Sequence, residues 1–317
     1  MQRQKGDLTH ATPTKGMNGL HVKSYSRNRV EALEGFLFIS PVVLGLLIFW
    51  AWPILQSFYY SFTTYSILKP AEWIGWANFK TLFNDPVFWN SLKITLIYTV
   101  LAVPCGLIVG FFLALLLKRQ VPGGRWFRTL FYLPVVVPIV AQGVLWKHMY
   151  SPEVGLANQI LKGIGLQPYP WFSDPDTVMT SLIIMSLWQA GGSMIIWIAG
   201  LEGVPEHLYE AAIVDGASPL RRFWSVTIPL VTPVIFFNLI IGMIGALQVF
   251  GQVLVTTGGG PLDSSKFLMV LIYEEAFGKL NMGYASAVSW VLFLIVLMFT
   301  LIIFRSSRLW VHYEGEQ

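Results

Sequence analysis

The residue types that carry most protein chemistry are sparse in this chain and poorly spaced for it. Its five histidines are His10, His21, His148, His207 and His312, and no two stand at metal-ligand spacing. The one cysteine, Cys105, excludes an intrachain disulfide and a thiolate metal cluster, and within its apolar run it reads as a small buried hydrophobe. No Ser/His/Asp set or carboxylate pair falls where it could act on a substrate. The run Gly258-Gly259-Gly260-Pro261 lacks the Lys that a G-x-x-x-x-G-K-[ST] phosphate loop requires. The chain is therefore expected not to be an enzyme, and to carry no metal or cofactor of its own. Two groups of residues remain: an acidic stretch at 202–228, and a few amides and hydroxyls set inside long apolar runs.

Those runs decide the class. Of 317 residues, 55% are hydrophobic and 12% charged, where soluble domains average about a quarter charged. The mean hydropathy is +0.60. About 20 apolar residues cross the hydrocarbon core of a bilayer, and six runs qualify, near 36–60, 94–117, 126–146, 177–201, 229–255 and 282–304. The expected fold is an all-α integral membrane protein with six transmembrane helices. Residues 1–34 are a polar, basic tail without a signal-peptide core, 35–306 the membrane domain, and 307–317 a second tail. Pro134 and Pro138 are expected to bend the third span, and Gly106 and Gly110 to give close helix packing on the second.

Lysine and arginine set the orientation. With the N-terminus inside, the inner segments hold fourteen of them, including every arginine, against seven outside. Both termini are expected to be cytoplasmic. No span carries a charge near its middle, which argues against an ion-coupled carrier. A path without ion-coupling groups needs energy from another chain.

The segment 202–228 is the acidic exception among the inner loops, with Glu202, Glu206, Glu210 and Asp215 against Arg221 and Arg222. Pro205 suits the start of a helix and Glu206 its positive end. Gly216 can close that helix in a left-handed conformation, and Ser218-Pro219 can begin a second one. Leu208, Ala211 and Ala212 form an apolar strip that either packs on the chain's own inner ends or docks a soluble partner.

Here the chain resembles a known family. Glu210-Ala211-Ala212, three residues, Gly216, nine residues, then Val226-Thr227-Ile228-Pro229 is similar to the "EAA" loop of membrane subunits of bacterial ABC importers, with Val226 and Ile228 in place of Ile and Leu. Trp76-Ala77-Asn78-Phe79, Asp85-Pro86-Val87-Phe88-Trp89, Trp171-Phe172-Ser173-Asp174-Pro175, Thr257-Gly258-Gly259-Gly260-Pro261 and Gly283-Tyr284-Ala285-Ser286-Ala287 resemble carbohydrate-uptake permeases. The resemblance implies the type I ABC importer permease fold in the bacterial cytoplasmic membrane. It implies a second homologous permease subunit, two ATPase subunits carrying ATP and magnesium, a periplasmic or lipid-anchored solute-binding protein, and a sugar cargo. Glu206, Leu208, Tyr209, Glu210, Ala211, Ala212, Asp215 and Gly216 would couple to the ATPase.

For the cargo path, the polar residues at membrane depth are Ser186, Gln189 and Ser193, beside Trp188, together with Asn238 and Gln248. Hydrogen bonding between helices is the competing reading of each. The resemblance adds Val135, Ile139 and Val249. The same architecture carrying glycerol phosphate or its diesters is the first alternative, and a stand-alone secondary carrier the second.

Overall fold

A computed structural model describes residues 24–118 and 123–312. The beginning of the basic tail and the end of the second tail lie outside them. By its contacts the chain divides into a unit ending at Gln56 and a unit beginning at Ser57.

The first unit is helical. Helix α1 (Ser24–Leu46) widens into a π turn (Leu47–Ala51) and continues as α2 (Trp52–Tyr60), which runs across the division. The widened turn lies just before Pro53, whose missing N–H and bulky ring disturb an α-helical ladder. Residues Glu31–Tyr60 are long and apolar enough to cross a membrane, and none of their most apolar window is buried inside the chain.

In the second unit, α3 (Ala77–Asn84) is followed by α4 (Pro86–Lys118), 33 residues long. At 1.5 Å per residue that is ~50 Å, more than the hydrocarbon core needs. It begins well before the expected residue 94 because Pro86 is preset for a first helical turn and the Asp85 carboxylate accepts the Val87 N–H at 2.9 Å. Three apolar clusters are strung along α4: Phe88 at its start, Ile94 to Val103 at its middle, and Ala114 and Leu117 at its end.

The remaining spans are not straight rods. Helices α5 (Gly124–Val136) and α6 (Ile139–Met149) meet at 100° across Val137-Pro138. After the short α7 (Leu156–Gly163), α8 (Val178–Leu187) and α9 (Gly191–Glu202) meet at 47°. Helix α10 (Glu206–Val214) lies in the acidic segment. Then α11 (Pro219–Arg222), a π turn (Phe223–Thr227) and α12 (Ile228–Leu230) meet α13 (Thr232–Leu247) at 61°. The chain ends with α14 (Gly251–Thr256), α15 (Leu268–Tyr273) and α16 (Met282–Ser307). Three helices alone, or up to six spans if each bent pair is one, are long and apolar enough to cross a membrane. Among the described residues there is no strand, only isolated bridges such as Thr63 with Trp73.

At the end of the unit where α4 begins, the loops are clamped by buried polar contacts. Asn78 donates to the carbonyls of Ser61 (2.9 Å) and Thr63 (2.8 Å), and the Tyr284 hydroxyl donates to Asp85 at 2.7 Å. Lys266 bridges Asp263 (2.7 Å) and Glu274 (3.1 Å). Burial pushes its ammonium pKa down, but the two carboxylates outweigh this and hold it above the ordinary lysine range. That contribution to stability is complete below the unfolded lysine pKa and is lost only as pH rises through the higher folded value.

The bends bring backbones into direct contact. A Cβ on Gly191, at the break between α8 and α9, would lie 1.8 Å from the Phe131 carbonyl oxygen on α5. Gly191→Ala must therefore separate the two spans, and overpacking of this kind costs about 1–3 kcal/mol or more. The expected result is a lower melting temperature of the detergent-solubilised protein; an unchanged one would mean that α5 and α9 do not touch there.

Candidate functional site

The acidic segment forms two helices joined by a tight turn. Gly216 has φ +72°, and the N–H groups of Gly216 and Ala217 return to the carbonyls of Ile213 and Ala212, each at 2.9 Å. That closes α10 in the left-handed cap that only glycine adopts without strain. The Ser218 hydroxyl then accepts the Arg221 N–H at 3.3 Å to begin α11.

The two faces of α10 differ. Tyr209 is turned into the chain: its hydroxyl meets the Thr227 hydroxyl at 2.9 Å, and the Lys118 ammonium lies 5.6 Å from its ring centre. Lys118 also donates to the Leu201 carbonyl at 2.8 Å, where α9 is ending and its dipole favours a cation. Leu208 and Ala212 are half-buried with Tyr209, whereas Glu206, Glu210, Ala211, Asp215 and Gly216 are exposed. The expected strip is thus divided, Leu208 and Ala212 serving as anchor and Ala211 facing out. The sequence reading missed the apolar rim around the acidic groups: Ile213, Val214 and Leu220 are 55%, 87% and 69% exposed. Apolar residues on both sides of the Gly216 turn were the available signal.

A cavity of about 550 Å³ lies between α4, α13 and the broken span of α8 and α9. Of the residues named from the sequence, Val135, Ser186, Gln189, Ser193, Asn238 and Val249 line it. Ile139, Trp188 and Gln248 do not: Ile139 packs by Gly251, Trp188 meets Trp146 edge-on with centroids 5.8 Å apart, and Gln248 is exposed at the end of α13. Tyr98 and Gln252 line the wall and were not anticipated. Behind it stands Gln142, 3% exposed, whose side-chain N–H groups donate to the carbonyls of Pro134 and Val137, both at 2.8 Å, while its oxygen accepts from Gln189. No charged residue lines the cavity among the described residues, and no metal-ligand cluster occurs among them.

Residues 102–311 match the model of the family described as "Binding-protein-dependent transport system inner membrane component". The chain belongs to this family. The permease is 39% identical over 306 residues, 95% of its own length and 99% of the relative's, to the probable ABC transporter permease protein YesP of Bacillus subtilis. It is 33% identical to the sn-glycerol-3-phosphate transport system permease protein UgpA of Pectobacterium atrosepticum, over 88% of this chain and 95% of that one. It is 32% identical to the sulfoquinovosyl glycerol transport system permease protein SmoG of Agrobacterium fabrum, over 88% and 91%. Its fold matches a chain of a bacterial ABC transporter that imports the acidic polysaccharide alginate, with a TM-score of 0.80 at 24% identity over 90% of this chain and 99% of that one. The fold is that of an ABC importer permease, and the permease is an inner membrane transport component rather than a stand-alone carrier.

Two glycines on α4 separate packing from path. A Cβ on Gly110 would lie 2.2 Å from the Ser193 hydroxyl oxygen, whereas one on Gly106 meets nothing within 4 Å and faces the cavity. Only Gly110 makes the close approach expected of both. Gly106→Ala is expected to be neutral or to stabilise by up to about 1 kcal/mol through helix propensity, and Gly110→Ala to cost about 1–3 kcal/mol. Gly106→Phe fills the cavity, so uptake should fail while the melting temperature holds.

Proposed function

We propose that this permease forms half of the translocation path of an ATP-driven sugar importer and couples it to an ATPase through the 202–228 loop. In this reading each bent pair is one span, giving six, with both termini in the cytoplasm, as the lysine and arginine distribution favours. Residues 1–34 and 307–317 are cytoplasmic tails around a membrane domain at 35–306. A second homologous permease supplies the other half of the path. Two ATPase subunits carry ATP and magnesium, and a periplasmic or lipid-anchored solute-binding protein delivers the cargo.

The observation that carries this reading is the two-faced helix α10. Tyr209, Leu208 and Ala212 fix it to the ends of the spans, while Glu206, Glu210 and Ala211, rimmed by Ile213, Val214 and Leu220, are left bare. Such a helix suits a groove on a partner, and its anchor lets a push on the partner side reach α4 and α9 through Lys118. The relatives named for sulfoquinovosyl glycerol and sn-glycerol-3-phosphate, and the structural relative named for alginate, support a cargo of sugars or polyol derivatives. Ser186, Gln189, Ser193, Asn238, Val135 and Val249 are its contacts on this half.

Affinity purification of this chain from native membranes should bring down an ATPase and a second permease in a 2:1:1 ratio. Reversing the charge at a buried interfacial contact costs several kcal/mol, so Glu210→Lys should lower ATP-dependent uptake by at least about tenfold. Full uptake with normal ATPase association in that variant would remove the coupling role from α10.

A further inference from the structure

Hydrogen bonds within the protein hold several of the polar groups around the cavity. Six polar side chains line it: Tyr98, Ser186, Gln189, Ser193, Asn238 and Gln252. Four of these commit a donor to the protein. Ser186 donates to the Ile183 carbonyl at 2.7 Å, Ser193 to the Ala190 carbonyl at 3.0 Å, Asn238 to the Val234 carbonyl at 3.0 Å, and Gln189 to the Gln142 side-chain oxygen. Each keeps an oxygen that can accept, Ser186 also meeting the Tyr98 hydroxyl, while Gln189 and Asn238 retain a second amide N–H.

The orientation of Gln189 is set by its neighbour. Gln142 sits against two carbonyl oxygens, Pro134 and Val137, so the atom facing them must be its nitrogen and the atom facing Gln189 its oxygen. Only the nitrogen of Gln189 can close that contact, and the amide ambiguity is resolved along the chain of bonds. Pro138 interrupts the helix between α5 and α6, so the two carbonyls that hold Gln142 are those around the bend. The carbonyls at the α5–α6 break therefore fix which atom of Gln189 is left for a ligand.

We propose that this half of the path takes an uncharged, polyhydroxyl cargo through the cargo's own hydroxyl donors, and that Gln142 is the positioning residue that keeps the Gln189 oxygen available to it. The proposal rests on the cavity being the transport path. Sugar hydroxyls bring donors that the wall's oxygens can accept. A phosphate or carboxylate brings a full charge, and no cation stands among the lining residues to offset its loss of water. The permease is thereby set apart from relatives named for a phosphate or an acidic polysaccharide.

The test uses the whole assembly, purified with its partner chains in lipid nanodiscs and carrying Gly106→Cys on a Cys105→Ala background. The rate of alkylation of the G106C thiol is measured with no solute, with a mixture of neutral mono- and disaccharides, and with sn-glycerol 3-phosphate and glucuronate. The neutral mixture, supplied at several times its Kd, should slow alkylation about fivefold or more, as 1 + [L]/Kd requires, and the anions should leave it unchanged. Adding Gln142→Met should abolish the protection, measured against that variant's own rate without solute. Gln189→Met should do the same with the two carbonyl contacts of Gln142 left in place, which covers misfolding of the first variant. Protection by the anions equal to that by the sugars, protection by neither, or protection that survives both methionine variants would each overturn the proposal. Its failure is separable from failure of the path reading, because uptake that survives Gly106→Phe removes the path itself.

Discussion

Unpaired backbone groups are the constraint on which this molecule turns. In hydrocarbon there is no water to satisfy a freed carbonyl, yet three apolar helix pairs among the described residues are bent by 47° to 100°. At two of the three a side chain takes the carbonyls beside the break. Gln142 takes the Pro134 and Val137 carbonyls at the first. Thr232 donates to the Pro229 carbonyl at 2.6 Å and accepts the His312 N–H at 2.9 Å at the third. Helix ends follow the same rule: Lys118 covers Leu201 and Arg128 covers Leu117, at 2.8 and 3.1 Å. Lys118 and Arg128 thus serve as capping groups at the ends of α9 and α4.

The cavity is a consequence of those breaks. A straight bundle would pack the middle of α4 against its neighbours as tightly as Gly110 packs on Ser193. Bending α8 away from α9 draws the wall back at Ser186 to Ser193 and leaves Gly106 facing space. The polar residues there are held by internal bonds before any ligand arrives, which lowers the cost of ordering them on binding.

Several stretches that resemble family motifs have a structural office in this chain. Asn78 ties two carbonyls, Asp85 receives Tyr284, and Trp171, at φ 49°, is held by the Asn158 side chain at 2.8 Å and by stacking on Tyr150 at 4.1 Å. A tryptophan in a left-handed conformation is strained and persists only where its surroundings fix it. These contacts tie together the loops at the end of the unit where α4 begins, and the two-helix loop at the far end of α4 is held by Tyr209, Val204 and Val226 in an apolar cluster and by the Arg128–Glu202 ion pair at 3.6 Å.

What the sequence determined is what depends on composition and local chemistry. Apolar run length located the spans because bilayer thickness is fixed, and the Gly216 and Ser218-Pro219 signals located the turn between α10 and α11 because caps are local. Pro134 and Pro138 announced one bend. The other two stand at Gly191-Gly192 and between Pro229 and Pro233, residues that permit a break, but the close approach of α5 to Gly191 is visible only in the packed chain. Tertiary structure also sorted the candidates. Gln189, Ser193 and Asn238 face the cavity and Trp188 and Gln248 do not, since a break rotates the residues on either side of it out of simple helical register. Gln142 lay unnoticed because an amide in a span is legible only when the carbonyls it repairs and the amide it orients are brought together from elements far apart in the chain.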